Sequence, residues 1–188
     1  MDKQTFWKLI ESARADAGPD GVAERAARLL ALRPAAEIAA AQQVLWDLLA
    51  ESYRSPLWAA AYVINGGCSD DGFDYFRGWL LTQGEEAFTR ALADPDSLAD
   101  HPAVREAAAD GLELWDEQAL SIAWTAYTEA TGRELPADSF TIGYPPLDPA
   151  WSFDFDDTTE TAARLPRLTA LFDQSPPVYP SRPGPESC

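Results

Sequence analysis

Within its first fifty-four residues the chain writes the same apolar spacing three times. In "TFWKLIESARADA", Phe6, Leu9, Ile10 and Ala13 stand at i, i+3, i+4 and i+7, the repeat of a helix that turns one face to a core. Gly18 and Pro19 break it. "PDGVAERAARLLALR" takes the spacing up again with Val22, Ala26, Leu29 and Leu30. Pro34 then stands where a third helix can start, because the first turn has no use for the N–H that proline lacks. That helix, "AAEIAAAQQVLWDLLAESYR", runs to about Arg54 with Ile38, Ala41, Leu45, Leu48 and Leu49 on one side. Three amphipathic stripes in succession leave the chain little choice but to pack helix on helix.

The pattern continues. "SPLWAAAYVING" offers Ser55 as an N-cap and Pro56 in the first position, is apolar on every side, and stops at Asn65-Gly66-Gly67; a helix apolar all round is a buried one. "GGCSDDGFDYFRGWLL" follows, predicted to be a helix capped by Ser69 or Asp70 and ending near Gln83-Gly84, with Phe73, Phe76 and Leu80 on one face. "EEAFTRALADP" reads as a short helix and "DPDSLADHPAVREAAADG" as turns with a short helical piece. "ELWDEQALSIAWTAYTEATGR" reads as a long final helix, Leu114, Ala119 or Leu120, Ala123, Trp124 and Tyr127 inward, with Gly132 just past its end. After Arg133 the period is lost until a short turn at about 164–172, and aromatics alternate with proline and aspartate. An aperiodic aromatic stretch is expected to be pinned to the body by Tyr144, Trp151, Phe153 and Phe155. No repeat or strand pattern stands out. The fold class expected is mainly α: a single compact helical domain of about seven or eight helices over residues 1–172, with an irregular aromatic C-terminal segment, and a flexible proline-rich tail at 173–188.

At 188 residues, 46% hydrophobic, with seven Trp, eight Phe and six Tyr, the chain is long enough for one sizeable core. Net charge is −17, and it is unevenly placed. Residues 68–131 hold fourteen acids against three bases, whereas residues 1–67 hold eight against seven. That field repels phosphate backbones and anionic lipid, which argues against direct nucleic-acid or membrane binding; it favours a cationic partner, a basic protein or peptide, or simply solubility. No run is long and apolar enough to span a bilayer, and the first residues meet charge too early for a signal segment, so a cytoplasmic location is expected. Cys68 and Cys188 are expected to be reduced thiols. With His101 the sole histidine, a Cys/His zinc site is not indicated, and no cofactor is.

Three groups of residues carry chemistry. Asp70, Asp71 and Asp74 cluster at a helix start, where carboxylates meet unsatisfied N–H groups and the positive end of the dipole; the sharper alternative is a site for a hard divalent cation or a cationic substrate. Arg77, three residues beyond Asp74, can pair with it, and burial of both would make them the polar element of an apolar helix. Cys68 precedes the helix start, a position that activates thiols, yet no base adjoins it in sequence and three aspartates oppose a thiolate. In "WSFDFDD", Asp154, Asp156 and Asp157 either share a cation or form the wet side of an extended strip whose Trp151, Phe153 and Phe155 point inward. Glu113, Asp116, Glu117 and Glu129 read as the solvated face of the last helix.

"LWAAAYVINGGCSDDGFDYFRGWLLTQG", then "FTRALADPDSLAD", "AYTEATGRELP" and "RLPRLTALF", resemble the bacterial domain-of-unknown-function family 4240 over about residues 4–172. The resemblance implies an intracellular single domain and no particular reaction. Where that family's acidic-aromatic motif reads Trp-Asp-Glu-Asp, this chain has "WSFDFDD". Two functions follow as expectations: a binding protein acting through an acidic surface around residues 70–117, or an enzyme or small-ligand binder whose pocket joins Asn65, Cys68, Asp70, Asp71, Asp74 and Arg77 to Trp151 and Asp154. A purely structural or regulatory helper is a third. The first requires the acids to face outward; the second requires them to converge in a concavity.

Overall fold

The computed structural model describes residues 1–18 and 21–173. Among these it is all helical, with ten α-helices and no strand: α1 (Lys3–Asp16), α2 (Val22–Ala31), α3 (Ala35–Ser52), α4 (Ser55–Asn65), α5 (Asp70–Thr82), α6 (Glu85–Ala93), α7 (Pro102–Asp110), α8 (Ile122–Thr131), α9 (Thr158–Arg164) and α10 (Pro166–Phe172). Short 3₁₀ turns at Pro95–Asp100 and Gln118–Ser121 join α6 to α7 and lead into α8. The proposed tail beyond residue 173, Cys188 included, and Pro19 lie outside the described residues.

Each periodic stripe ends up inside. Phe6, Ile10, Ala13, Ala26, Leu30, Ile38, Ala41, Leu45 and Leu48 are fully buried, because α2 packs on both α1 and α8 and α3 packs on α8. The α4 segment buries Leu57, Ala59, Ala60, Ala61 and Ile64 on nearly all sides, as its composition requires. Phe73 and Phe76 of α5 are fully buried, each side chain contributing about 1.5–3 kcal/mol by leaving water.

Three boundaries differ from the sequence expectation. Arg54, not Ser55, is the N-cap of α4; Ser55 is its first helical residue, buried, with its hydroxyl donating to the Asp148 carbonyl at 3.4 Å. The long last helix is shorter than its period suggests: residues 112–117 are non-helical, the chain coils through the Gln118–Ser121 turn, and α8 proper starts at Ile122. Tertiary contacts explain this, since the Asp116 N–H donates to the Tyr75 carbonyl at 3.0 Å instead of to a helical neighbour. Ile122, Ala123 and Ala126 face inward, and Trp124, expected inside, is 39% exposed. Finally, the single turn expected near 164–172 is a pair of helices, α9 capped by Asp157, whose carboxylate accepts from the Thr159 and Glu160 N–H groups at 3.0 and 3.1 Å.

Residues 133–157 form a strap over the helices. Leu135 anchors it in the core. The side-chain amide of Gln43 brackets Thr141, accepting from its N–H at 2.7 Å and donating to its carbonyl at 3.3 Å. Trp151, Phe153 and Phe155 are half-buried while Asp154, Asp156 and Asp157 are exposed, so the expected alternation is present. The strap leads through α9 to α10, whose first N–H groups are met by a carboxylate from far earlier in the chain. Asp96, itself 7% exposed, accepts from the Arg167 N–H at 3.1 Å and from the Leu168 N–H at 2.9 Å. Among the described residues no helix is long and apolar enough to cross a membrane.

Candidate functional site

The start of α5 is built by three adjacent devices. Gly66 ends α4 in the left-handed region at φ 65°, where a Cβ would be strained and glycine is not. Ser69 caps α5, its hydroxyl accepting from the Gly72 N–H at 3.2 Å. Asp70 and Asp71 occupy the first turn and are exposed, where they meet the helix dipole favourably. Cys68 lies half-buried just before. Burial pushes its thiol up to about 12; Arg77 opposes the rise and Asp70 adds to it. A thiol so placed is a small apolar group at neutral pH and not a nucleophile.

One turn further, α5 carries its polar core. The Arg77 side chain is fully buried, and its guanidinium pairs with Asp74, whose side chain is 23% exposed. A second nitrogen donates to the Leu49 carbonyl of α3. The rings of Phe73, Tyr53 and Tyr144 face the guanidinium at 4.8, 5.1 and 5.8 Å, an aromatic cage that attracts a cation electrostatically. Trp58 extends the cage by stacking on Phe73 at 4.7 Å and 13°, and its indole N–H donates to the Cys68 carbonyl at 3.0 Å. Tyr144 arrives from the strap, with its ring 4.8 Å from Tyr53 and its hydroxyl donating to Asp74 at 3.1 Å. Burial, and then the charge of Asp74, holds the Tyr144 phenol above its usual range. Asp74 therefore serves both Arg77, which is fully buried, and Tyr144, which is half exposed at the edge of the cage.

The remaining candidates are engaged in structure. The Asn65 amide brackets Leu114, donating to its carbonyl at 3.1 Å and accepting from its N–H at 2.9 Å. Trp151 is half-buried beneath Arg164, whose guanidinium stands 4.9 Å from its ring. Asp154 accepts from the Asp156 N–H at 3.1 Å, and Asp156 accepts from the Tyr62 hydroxyl at 2.6 Å, so these acids make turns and tethers. The strap residue brought to the α5 carboxylates is Tyr144, whereas Trp151 packs with Phe153 and Arg164. Among the described residues no three His, Cys, Asp or Glu side chains stand close enough to share a metal ion.

Sequence reading missed the 112–117 segment, taken for helix. It lies on α5 because Gly78 is a notch: a Cβ there would stand 2.4 Å from the Asp116 carbonyl oxygen. Pinned by Asn65, Gly78 and the Asp116–Tyr75 backbone bond, the segment leaves Leu112 54% and Trp115 56% exposed. The signal in the sequence was Gly111, which closes α7 in the left-handed region just before an acid-flanked Trp. Tyr75 lies beneath, its ring 6.5 Å from that of Trp115 and its hydroxyl 3.5 Å from Glu117. The negative charge of Glu117, then burial, then the charges of Asp71 and Asp74 hold the Tyr75 phenol above its usual range.

An open groove of about 670 Å³ lies between α3 and the strap, lined by Asp47, Glu51, Tyr53, Arg54, Tyr144 and Pro145 among others. It touches the outer side of the cage, and none of Cys68, Asp70, Asp71 or Asp74 lines it.

The family described as a protein of unknown function (DUF4240) matches residues 1–129. The chain belongs to that family. No curated protein and no solved structure gives a significant match. The DUF4240 match takes in α5, Arg77 and the 112–117 segment and ends within α8, ahead of Tyr144. In this member the cage is thus closed by a residue from beyond the matched region.

Proposed function

We propose that this chain is a cytoplasmic, bacterial binding protein without catalysis, which presents an acidic surface to a basic protein or peptide. The observation that carries the reading is the fate of charge in residues 68–131. Eleven of the fourteen acids there are exposed, and one of the three bases, Arg77, is buried with its own carboxylate. Against the eleven exposed acids in this third of the chain stand two exposed bases, Arg90 and Arg105. Such a surface draws cationic partners by long-range attraction that salt weakens.

A reaction at Asn65–Arg77 is less well supported. Asp70 and Asp71 face outward, Asp74 and Arg77 neutralise each other, and the Cys68 thiol is held protonated. The test compares polylysine, polyarginine and polyglutamate as probes over a range of salt concentrations, alongside a thermal-shift screen with divalent cations, nucleotides and amino acids. The expected result is binding of the two cationic polymers only, weakening steeply as salt rises. Failure of both to bind at low salt, with a small molecule raising the melting temperature of the wild type and not of Asp70→Asn, would overturn the reading in favour of a small-ligand site.

A further inference from the structure

Residues 113–117 alternate between inside and outside. Leu114 and Asp116 are half-buried while Glu113, Trp115 and Glu117 are exposed. Residues two apart in an extended stretch share a face, so an indole is displayed with a carboxylate on either side of it in sequence. Asp116 turns inward and accepts from the Ala119 N–H at 3.1 Å, and the Asn65 and Tyr75 bonds fix the backbone. The face is thereby held rigid in the absence of a partner, which lowers the ordering cost of binding.

The chain contains a satisfied version of the same chemistry. At Trp151, Arg164 lies 4.9 Å above the indole and also pairs with Glu160 at 3.3 Å: ring face, guanidinium and carboxylate in one stack. At Trp115, among the described residues, no arginine or lysine stands over the ring, although the indole is the more exposed of the two. A guanidinium suits such a place better than an ammonium, because it is flat enough to stack on the indole and forked enough to meet a carboxylate at its edge.

We propose that the outward face of residues 112–117 is the docking surface for an arginine-bearing segment of a basic protein, with the guanidinium lying on Trp115 and held at its rim by Glu113 and Glu117. This rests on the acidic-binding reading and names its contact point. Tyr75 provides an aromatic border, and Asp71 adds to the negative field around it.

The experiment measures binding of the full chain to a short fluorescein-labelled, amidated peptide of alternating glycine and arginine, and to its lysine counterpart, at low salt. The wild type should prefer the arginine peptide by about threefold or more. Trp115→Ala should weaken it about fivefold or more, Trp115→Phe should restore part of the loss, and Glu113→Gln with Glu117→Gln should weaken both peptides. Glu85→Gln with Glu86→Gln, which removes two exposed acids from the start of α6, should have the smaller effect; unchanged thermal unfolding of each variant verifies the fold. Equal binding by wild type and Trp115→Ala, or equal affinity for the two peptides, overturns the docking surface and leaves the acidic-binding reading standing. Binding of neither peptide overturns both.

Discussion

The two sides of α5 use the same ingredients to opposite ends. On one, Asp74, Arg77 and the rings of Phe73, Tyr53 and Tyr144 close on one another beneath the strap. On the other, Trp115, Glu113 and Glu117 stay at the surface over a half-buried Tyr75. Acid and aromatic residues are common to both, and what separates them is whether the chain supplies the cation. Where it does, the group is consumed in holding α3, α5 and the strap together; where it does not, the same chemistry remains available to another molecule.

Breaking the enclosed side should cost most. Asp74→Ala leaves a charged guanidinium buried without its partner, an expected loss of about 3–5 kcal/mol by urea unfolding. Converting the pair to Asp74→Leu with Arg77→Met should recover much of that, since apolar residues of similar volume often replace a buried ion pair without loss. Should Asp74→Ala melt like wild type, the cage is not what secures this side. Next comes the mount of the exposed side. Gly78→Ala forces a methyl group against the Asp116 carbonyl, for about 1–3 kcal/mol, and should speed amide exchange across residues 112–117. Unchanged exchange there would mean that the notch does not seat the segment.

A smaller effect lies in the alkaline range. Cys68, at about 12, and Tyr62, Tyr75 and Tyr144 all bind their protons more tightly folded than unfolded. Their contribution is complete below the ordinary thiol and phenol values near pH 9 to 10 and is lost as pH climbs through the raised ones. Stability should therefore decline above about pH 9, and Cys68→Ala should flatten part of that decline in melts recorded at successive pH values. The smallest effect belongs to the exposed side itself: Trp115→Ala should alter stability by no more than about 0.5 kcal/mol. A larger change would make Trp115 part of the core's support and remove the contrast between the two sides.

Much of this was legible in the sequence, and the exceptions share a cause. Helices α1 to α7 announce themselves by period and by Gly or Pro at their ends, and the Gly66 stop and Ser69 cap were readable because capping is local. Arg77 was not, since a pair three residues apart looks the same in water and in a core, and only Leu49, Tyr53 and Tyr144 from elsewhere decide the matter. The 112–117 segment misled for the same reason. Leu114, Leu120, Ala123 and Tyr127 fit a helical repeat well enough, but Asn65 and Tyr75 take up backbone groups that a helix would have used. Trp124 was placed inside by a period that starts eight residues too early.

The carboxylate of Asp96 sets a limit on how this chain can be divided. It sits in the middle of the sequence yet has its acceptors filled by the first peptide groups of α10. A fragment ended at the close of α8 would keep every large helix, yet it would lose the donors that Asp96 accepts from and lay bare the apolar faces of α4 and α7 that Leu165 and Leu168 cover. Expression of residues 1–131 should accordingly give an aggregating product, and a shortened form suited to binding work must run through α10.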